Sequence, residues 1–142
     1  MSTFSFSLER ALEWRRTRRD LEELKLTEIG AAIERSRAGI AQFQALGAAA
    51  QLQVLNAPTL TGMELSGLAG YRRHLEAAEQ RLQATLEEQE RRFVEQRKRS
   101  IEAQRQSKLI EKLRERQLAE FEALESREME NFATDMFLAR WR

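Results

Sequence analysis

The sequence predicts an all-α protein, a two-helix antiparallel coiled-coil hairpin with unequal arms in which the second helix is longer and overhangs the first. Three observations carry this prediction: a composition typical of long helices, a single cluster of turn residues, and apolar residues spaced three and four apart on both sides of that cluster. Of 142 residues, 24 are Lys or Arg and 23 are Asp or Glu, with one Pro, six Gly and no Cys. We expect one elongated domain covering residues 1–142.

The composition also narrows the range of functions that this protein can have. The absence of Cys excludes disulfides, thiolate catalysis and Cys-based zinc sites. Compact enzymes need many turns and therefore more Gly, Pro, Asn and Asp, so no enzymatic activity is expected. The segment 1–14 lacks the apolar core of a signal peptide, and no stretch reaches the roughly 20 apolar residues of a membrane span. We therefore expect a cytoplasmic protein without direct membrane insertion, associated peripherally with the inner face of the cell membrane through its partners.

The turn residues lie between positions 56 and 61. Asn56 can adopt the left-handed conformation that closes a helix, and Pro58 cannot continue one. The run Thr61-Gly62-Met63-Glu64 predicts a capping box, with Leu60 and Leu65 as its hydrophobic staple. The predicted elements are a helix over about 7–55, a turn at 56–61 and a helix over about 62–142.

Residues on both predicted helices follow alternating steps of three and four, the spacing of a left-handed coiled coil. On the first helix these core positions are Leu26, Ile29, Ile33, Ser36, Ile40, Phe43, Gly47, Ala50 and Val54. On the second helix they are Leu68, Tyr71, Leu75, Ala78 and Leu82, and then, after a step of four that shifts the phase, Leu86, Gln89, Phe93, Gln96, Ser100, Ala103, Ser107 and Ile110. A short linker makes the two helices antiparallel neighbours.

Both stripes turn polar at a similar distance from the turn, as antiparallel pairing predicts. The polar positions are Arg15, Arg19 and Glu22 on the first helix and Gln96, Ser100 and Ser107 on the second. At 1.5 Å per residue the helices would be roughly 73 Å and 120 Å long, so about thirty C-terminal residues have no partner in this chain.

Those C-terminal residues carry a set of large apolar side chains, each worth roughly 1.5–3 kcal/mol when buried. They are Leu109, Leu113, Leu118, Phe121, Leu124, Met129, Phe132, Met136, Phe137, Leu138 and Trp141. An exposed apolar stripe of this size indicates an interaction surface, and self-association is the alternative. A further alternative is a break that folds the second helix back on itself, although no Gly or Pro marks such a break.

No group of residues points to catalysis, a cofactor or a metal. His74 is the only histidine, and Gly70 and Ala78 one helical turn away cannot share a metal with it. The glycines after the turn fit no phosphate-binding loop. Arginine clusters at 15–19 and 91–99 raise the possibility of nucleic-acid binding, but no dimerising zipper follows the first and glutamates flank the second. We interpret them as solvated faces of a coiled coil and expect no nucleic-acid partner.

Four segments carry a resemblance to a known family. They are Phe4-Ser5-Phe6-Ser7-Leu8-Glu9, Tyr71-Arg72-Arg73-His74-Leu75-Glu76, Glu111-Lys112-Leu113-Arg114-Glu115-Arg116 and Met129-Glu130-Asn131-Phe132-Ala133. Across nearly its full length the chain resembles the bacterial flagellar type III export protein FliJ family. The last segment departs from the family pattern, because Asn131 replaces the second acidic residue.

The resemblance implies a non-enzymatic, stalk-like coiled coil similar to the central stalk of rotary ATPases. In that family the end with both termini binds the hexameric export ATPase, the region nearer the turn contacts the cytoplasmic domain of the membrane export gate, and the protein also handles export chaperones. By position, the gate contacts would be Ile40, Phe43, Tyr71, Leu75, Ala78 and Leu82. The residues we expect at the ATPase ring are Phe132, Met136, Phe137, Leu138 and Trp141, which lack a predicted intramolecular partner. The alternatives are the equivalent stalk of a virulence-type secretion system and a generic homodimerising scaffold.

Overall fold

A computed structural model describes residues 2–141, which form two long α-helices packed against each other as a helical hairpin. Helix α1 spans Glu9–Leu55 (47 residues) and helix α2 spans Gly62–Arg140 (79 residues). No β-strand occurs within residues 2–141. The predicted fold class and the longer second helix are therefore confirmed. The first helix starts two residues later than expected, and the predicted end at 142 lies outside the described residues.

The end of α1 differs from the prediction. The Asn56 amide donates to the Leu52 carbonyl at 3.0 Å, and the Ala57 amide donates to the Val54 carbonyl at 3.2 Å. No non-glycine residue between 2 and 141 has a positive φ. The prediction that Asn56 adopts the left-handed conformation is therefore wrong. The last turn instead tightens into a bond between residues three apart, which satisfies a terminal carbonyl without the left-handed conformation.

The start of α2 confirms the capping box. The Glu64 amide donates to Thr61 Oγ1 at 3.2 Å, and the Thr61 amide donates to Glu64 Oε2 at 3.3 Å. These reciprocal bonds satisfy two amides that have no acceptor within the helix. They fix the point at which the chain resumes a helical path after the turn.

The chain divides into two compact units. The turn unit is Glu23–Arg99, and the terminal unit comprises the chain up to Glu22 and from Ser100 onward. In the turn unit the predicted core positions are confirmed, since those of α1 from Leu26 to Val54 are all buried or half-buried. On α2 the same holds from Leu68 to Gln96, with the exception of Tyr71.

Contacts in the turn unit show that the helices are antiparallel. Ser36 Oγ donates to Gln89 Oε1 at 2.7 Å, and Gln44 Nε2 donates to Glu79 Oε1 at 2.8 Å. The partner on α2 moves back along the sequence as the residue on α1 moves forward. This is the pairing that the short turn predicts.

Gly39 marks a close approach of the two helices. A Cβ atom at this position would lie 2.6 Å from Leu82 Cδ2, so the leucine occupies the space that a side chain would need. At Gly30 and Gly47 the corresponding distances to Phe93 and Leu75 are 3.7 and 3.8 Å, which are ordinary contacts. Leu82 is thus a knob seated in a hole that glycine leaves open.

The core of the terminal unit is largely polar, as the sequence predicts. Ser100 and Ser107 of α2 and Glu22 of α1 are buried, while Leu12 and Phe6 supply the buried apolar part. Phe6 belongs to the N-terminal segment, residues 2–8, which precedes α1 and packs along α2. Its Phe4 ring lies 5.6 Å from the ring of Phe121, measured between centroids.

This packing corrects the predicted length of the unpaired region. Leu113, Leu118 and Phe121 are half-buried rather than free. The predicted length assumed that the first helix alone pairs with α2. The N-terminal segment is not helical, and extended chain advances up to about 3.3 Å per residue, compared with 1.5 Å in a helix. The segment therefore covers a longer part of α2 than the same number of helical residues would. The C-terminal extension, residues 122–141, is exposed throughout except for half-buried Glu125, and α2 continues through it without a break to Arg140.

We expect Gly39→Val to destabilise the hairpin by about 1–3 kcal/mol, because the new side chain overlaps Leu82 in a packed core. Gly67→Ala is the matched control. A Cβ atom at Gly67 meets no atom within 4 Å, so this substitution should stabilise α2 by about 0.5–1 kcal/mol. Urea unfolding followed by circular dichroism measures both changes. A Gly39→Val protein as stable as the parent would contradict the close approach.

Candidate functional site

The structure presents two surfaces on which the predicted contact residues lie. Within residues 2–141, no three or more His, Asp or Glu side chains are grouped so that they could hold a metal ion. His74 is exposed on α2. The candidate sites are therefore the C-terminal extension in the terminal unit and the predicted gate contacts in the turn unit.

The C-terminal extension presents all five predicted ring contacts to solvent. Their exposed fractions run from 54% for Leu138 to 76% for Trp141. Leu124 and Met129 in the same extension are also exposed. Large apolar side chains in this state form a surface that a partner can cover.

The end of α2 carries large apolar side chains on two opposite faces. At 3.6 residues per turn, Met129, Phe132 and Met136 share one face of the helix. Phe137, Leu138 and Trp141 lie on the opposite side, and the rings of Phe137 and Trp141 are 6.1 Å apart between centroids. A helix that lies on a flat surface needs only one apolar face, so a partner on one side alone would leave the other face of this helix in solvent.

The same extension is acidic. It contains five acidic residues against two arginines, Arg127 and Arg140, among residues 122–141. The acidic residues are Glu122, Glu125, Glu128, Glu130 and Asp135. A partner that encloses this part of the helix is expected to place basic groups beside them.

The N-terminal segment is held on α2 beside the extension. Arg114 donates from Nε to Glu9 Oε2 at 2.9 Å, and its guanidinium carbon lies 5.7 Å from the centre of the Phe4 ring. The Phe-Ser-Phe-Ser motif of this segment, residues 4–7, had no predicted structural role. The sequence signal for this packing is the alternation of apolar and polar residues in the motif, which is typical of extended chain with one buried face.

Arginines of the first basic cluster, residues 15–19, bond to side chains of α2 within the terminal unit. Arg16 Nε donates to Glu111 Oε1 at 3.1 Å, Arg19 Nη1 lies 3.6 Å from the same oxygen, and Ser107 Oγ donates to it at 3.3 Å. Arg15 donates to the side-chain oxygen of Gln106. These arginines therefore bind α2 in this unit, and Glu111, which Arg16 and Arg19 share, was not among the predicted site residues.

The hydrogen bond from Arg16 lowers the pKa of the Glu111 carboxyl below its ordinary value. Burial opposes this shift, while the Ser107 hydrogen bond and the charges of Arg16 and Arg19 add to it. The second basic cluster is also paired, since Arg92 lies 3.4 Å from Glu88 and Lys98 lies 3.5 Å from Glu95. These pairs follow the local spacing expected for the solvated face of a helix.

The predicted gate contacts differ in accessibility. Leu75 is buried, and Ile40, Phe43, Ala78 and Leu82 are half-buried in the core of the turn unit. Tyr71 is 41% exposed and is the most accessible of the six. Phe43 and Leu75 also line a surface groove of about 290 Å³ together with Gly47 and Arg72, among other residues. The side chains that a partner reaches without opening the hairpin are thus Tyr71 and the rim of this groove.

No protein-family model, curated protein or solved structure matches this chain. The resemblance to FliJ therefore rests on the motifs of the chain itself. In the part of the chain from 2 to 141, neither helix has an apolar stretch sufficient to cross a membrane.

Acid should weaken the terminal unit through Glu111. Because its folded pKa is lowered, the carboxylate stabilises the fold above its unfolded pKa of about 4.3, and this contribution is lost as the pH falls through the folded pKa. We expect Glu111→Gln to destabilise the protein at pH 7 and to have a smaller effect at pH 3. Urea unfolding of both proteins at the two pH values measures the difference. An effect of equal size at both would contradict the assigned ion pairs.

Proposed function

We propose that this protein is a FliJ-type stalk of the flagellar type III export apparatus. It has no chemistry of its own, binds the hexameric export ATPase through the C-terminal extension, couples that ATPase to the membrane export gate, and handles export chaperones. The observation that carries the proposal is the end of α2, which exposes large apolar side chains on two opposite faces. A ring with a central opening can cover both faces at once.

Charge supports a ring partner over a second copy of the chain. Residues 122–142 of two copies together contain ten acidic side chains, five from each copy, against six arginines. Like charges brought together at an interface oppose association. A ring lumen carrying Lys or Arg beside an apolar lining has no such penalty and would also attract the extension from solution.

Gate coupling is supported by the turn unit. Tyr71 is accessible, and it lies within the segment Tyr71–Glu76 that resembles the family. The groove lined by Phe43 and Leu75 provides an adjoining recess for a partner side chain. In this proposal the remaining predicted gate residues, Ile40, Ala78 and Leu82, shape the core beneath that surface.

The decisive test is a triple substitution in the full chain, Phe132→Ala, Phe137→Ala and Trp141→Ala. Loss of well-enclosed aromatic contacts should cost about 2 kcal/mol or more, roughly a thirtyfold weakening of binding to the cognate export ATPase. The matched control replaces three exposed apolar residues elsewhere, Leu24→Ala, Val94→Ala and Ile101→Ala. Isothermal titration calorimetry with the purified ATPase reports both affinities. Equal affinities for the triple variant and the parent would refute ring binding through the extension.

Truncation gives an independent test. Removal of residues 122–142 should abolish ATPase binding and leave the helicity of the rest intact, because Phe121 still holds Phe4. Removal of residues 118–142 also takes away that contact and should lower the stability of the terminal unit.

Light scattering tests the alternative hypothesis, a homodimerising scaffold. A concentration-independent dimer would favour the scaffold if substitution of Phe132 and Phe137 converted it to a monomer.

A further inference from the structure

The N-terminal segment occupies a site on α2 at the border of the C-terminal extension. The Phe4 ring lies 5.6 Å from the Phe121 ring, measured between centroids, and Arg114 donates from Nε to Glu9 Oε2 at 2.9 Å. The Arg114 guanidinium carbon also lies 5.7 Å from the centre of the Phe4 ring. The site on α2 thus holds an aromatic ring against Phe121 and a carboxylate against Arg114.

The helix face that carries this site continues to the exposed end of α2. Eleven residues make close to three helical turns, so side chains eleven positions apart lie on one face. Phe132 is eleven residues after Phe121 and is 67% exposed, and Met129 is eleven residues after Leu118 and is 69% exposed. Leu118 and Phe121 themselves are half-buried. One apolar face is therefore covered near the hairpin and open beyond it, and Phe4 lies at the border.

The outer part of the N-terminal segment is held by side chains alone. In the described part of the chain, no backbone hydrogen bond joins the segment to α2. Phe6 is buried, whereas Phe4 is half-buried and both of its neighbours in sequence are exposed. Glu9 and Arg114 are 42% and 37% exposed, and ion pairs in contact with water stabilise a structure only weakly. Residues 2–5 can therefore leave α2 while Phe6 stays in the core.

We propose that the partner of the C-terminal extension displaces Phe4 and takes its place on Phe121. The inference rests on the proposed function, in which that partner is the export ATPase, and it adds a second contact zone to the same surface. A partner that covers Phe132 and follows this face toward the hairpin reaches Phe121 next, because the face is continuous. Phe4 and the partner therefore compete for one site.

The contacts of the N-terminal segment define the chemistry of the group that replaces it. Phe121 receives an aromatic ring and Arg114 receives a carboxylate, so the displacing part of the partner carries a large apolar side chain beside an acidic one. In the free chain Phe4 keeps part of the Phe121 ring out of water, which limits the exposed apolar surface. Because the site must be vacated before the partner occupies it, the seated Phe4 lowers the apparent affinity of the partner.

Substitution of Phe4 in the full chain tests this competition. Phe4→Ala should strengthen binding to the purified export ATPase by about threefold to tenfold, because the site is already vacant. Phe121→Ala should weaken binding by about the same factor, because it removes the surface for which the two compete. Ser5→Ala, at an exposed position of the same segment, is the matched control and should leave the affinity unchanged. Isothermal titration calorimetry measures the affinities, and circular dichroism checks that each variant keeps its helices.

Spin labels follow the N-terminal segment directly. The chain has no cysteine, so Thr3→Cys and Ala119→Cys provide two unique labelling sites, both at exposed positions. Ala119 is two residues from Phe121 and so lies on the opposite side of the helix, away from the site. Electron paramagnetic resonance should give a short, narrow distance distribution for the free chain. Saturation with the ATPase should shift the distribution to longer and broader distances.

The outcomes separate this inference from the proposed function. If the ATPase binds but Phe4→Ala leaves its affinity unchanged or weakens it as Phe121→Ala does, the Phe4 contact is only structural and the competition is refuted. A label distance that stays the same at saturation refutes it as well, while ring binding stands. If the ATPase binds neither the parent nor Phe4→Ala, the proposed function is refuted and this inference falls with it.

Discussion

The narrow contact between two helices is the constraint on which the rest of this structure depends. Each helix of a hairpin can bury only one stripe of side chains against the other, so a small set of residues holds the fold and most of the surface stays in solvent. In the turn unit that stripe is Ile33, Leu75 and Leu86 with a close approach at Gly39. Large apolar side chains outside the stripe are therefore informative, because intramolecular packing does not explain them.

The two units meet this constraint with different chemistry. The turn unit buries mainly aliphatic residues, and Ser36 and Gln89 satisfy each other by a hydrogen bond. The terminal unit relies on charged and polar contacts around Glu111, including Arg16 and Ser107. Such contacts depend on orientation and on charge, so they specify which residues face each other while adding less stability than apolar burial. The ion pairs at Glu111 therefore make the stability of the terminal unit depend on pH.

The two candidate binding surfaces differ in charge. The C-terminal extension combines apolar residues with acidic ones, so an enclosing partner with basic groups would bind it less tightly as salt increases. The predicted gate contacts in the turn unit are uncharged side chains, so contacts made there would depend little on salt.

By itself, the sequence determined the two helices, the turn and the core positions, because these depend on local spacing and on the Thr61–Glu64 capping box. It also identified the exposed end of α2, since no residue opposite Phe132 was available on the shorter helix. Only the tertiary structure decided that Phe4 packs on Phe121 and that Glu111 is shared by Arg16 and Arg19. These features join residues about a hundred positions apart or depend on the register between helices, and helical periodicity carries no information about either.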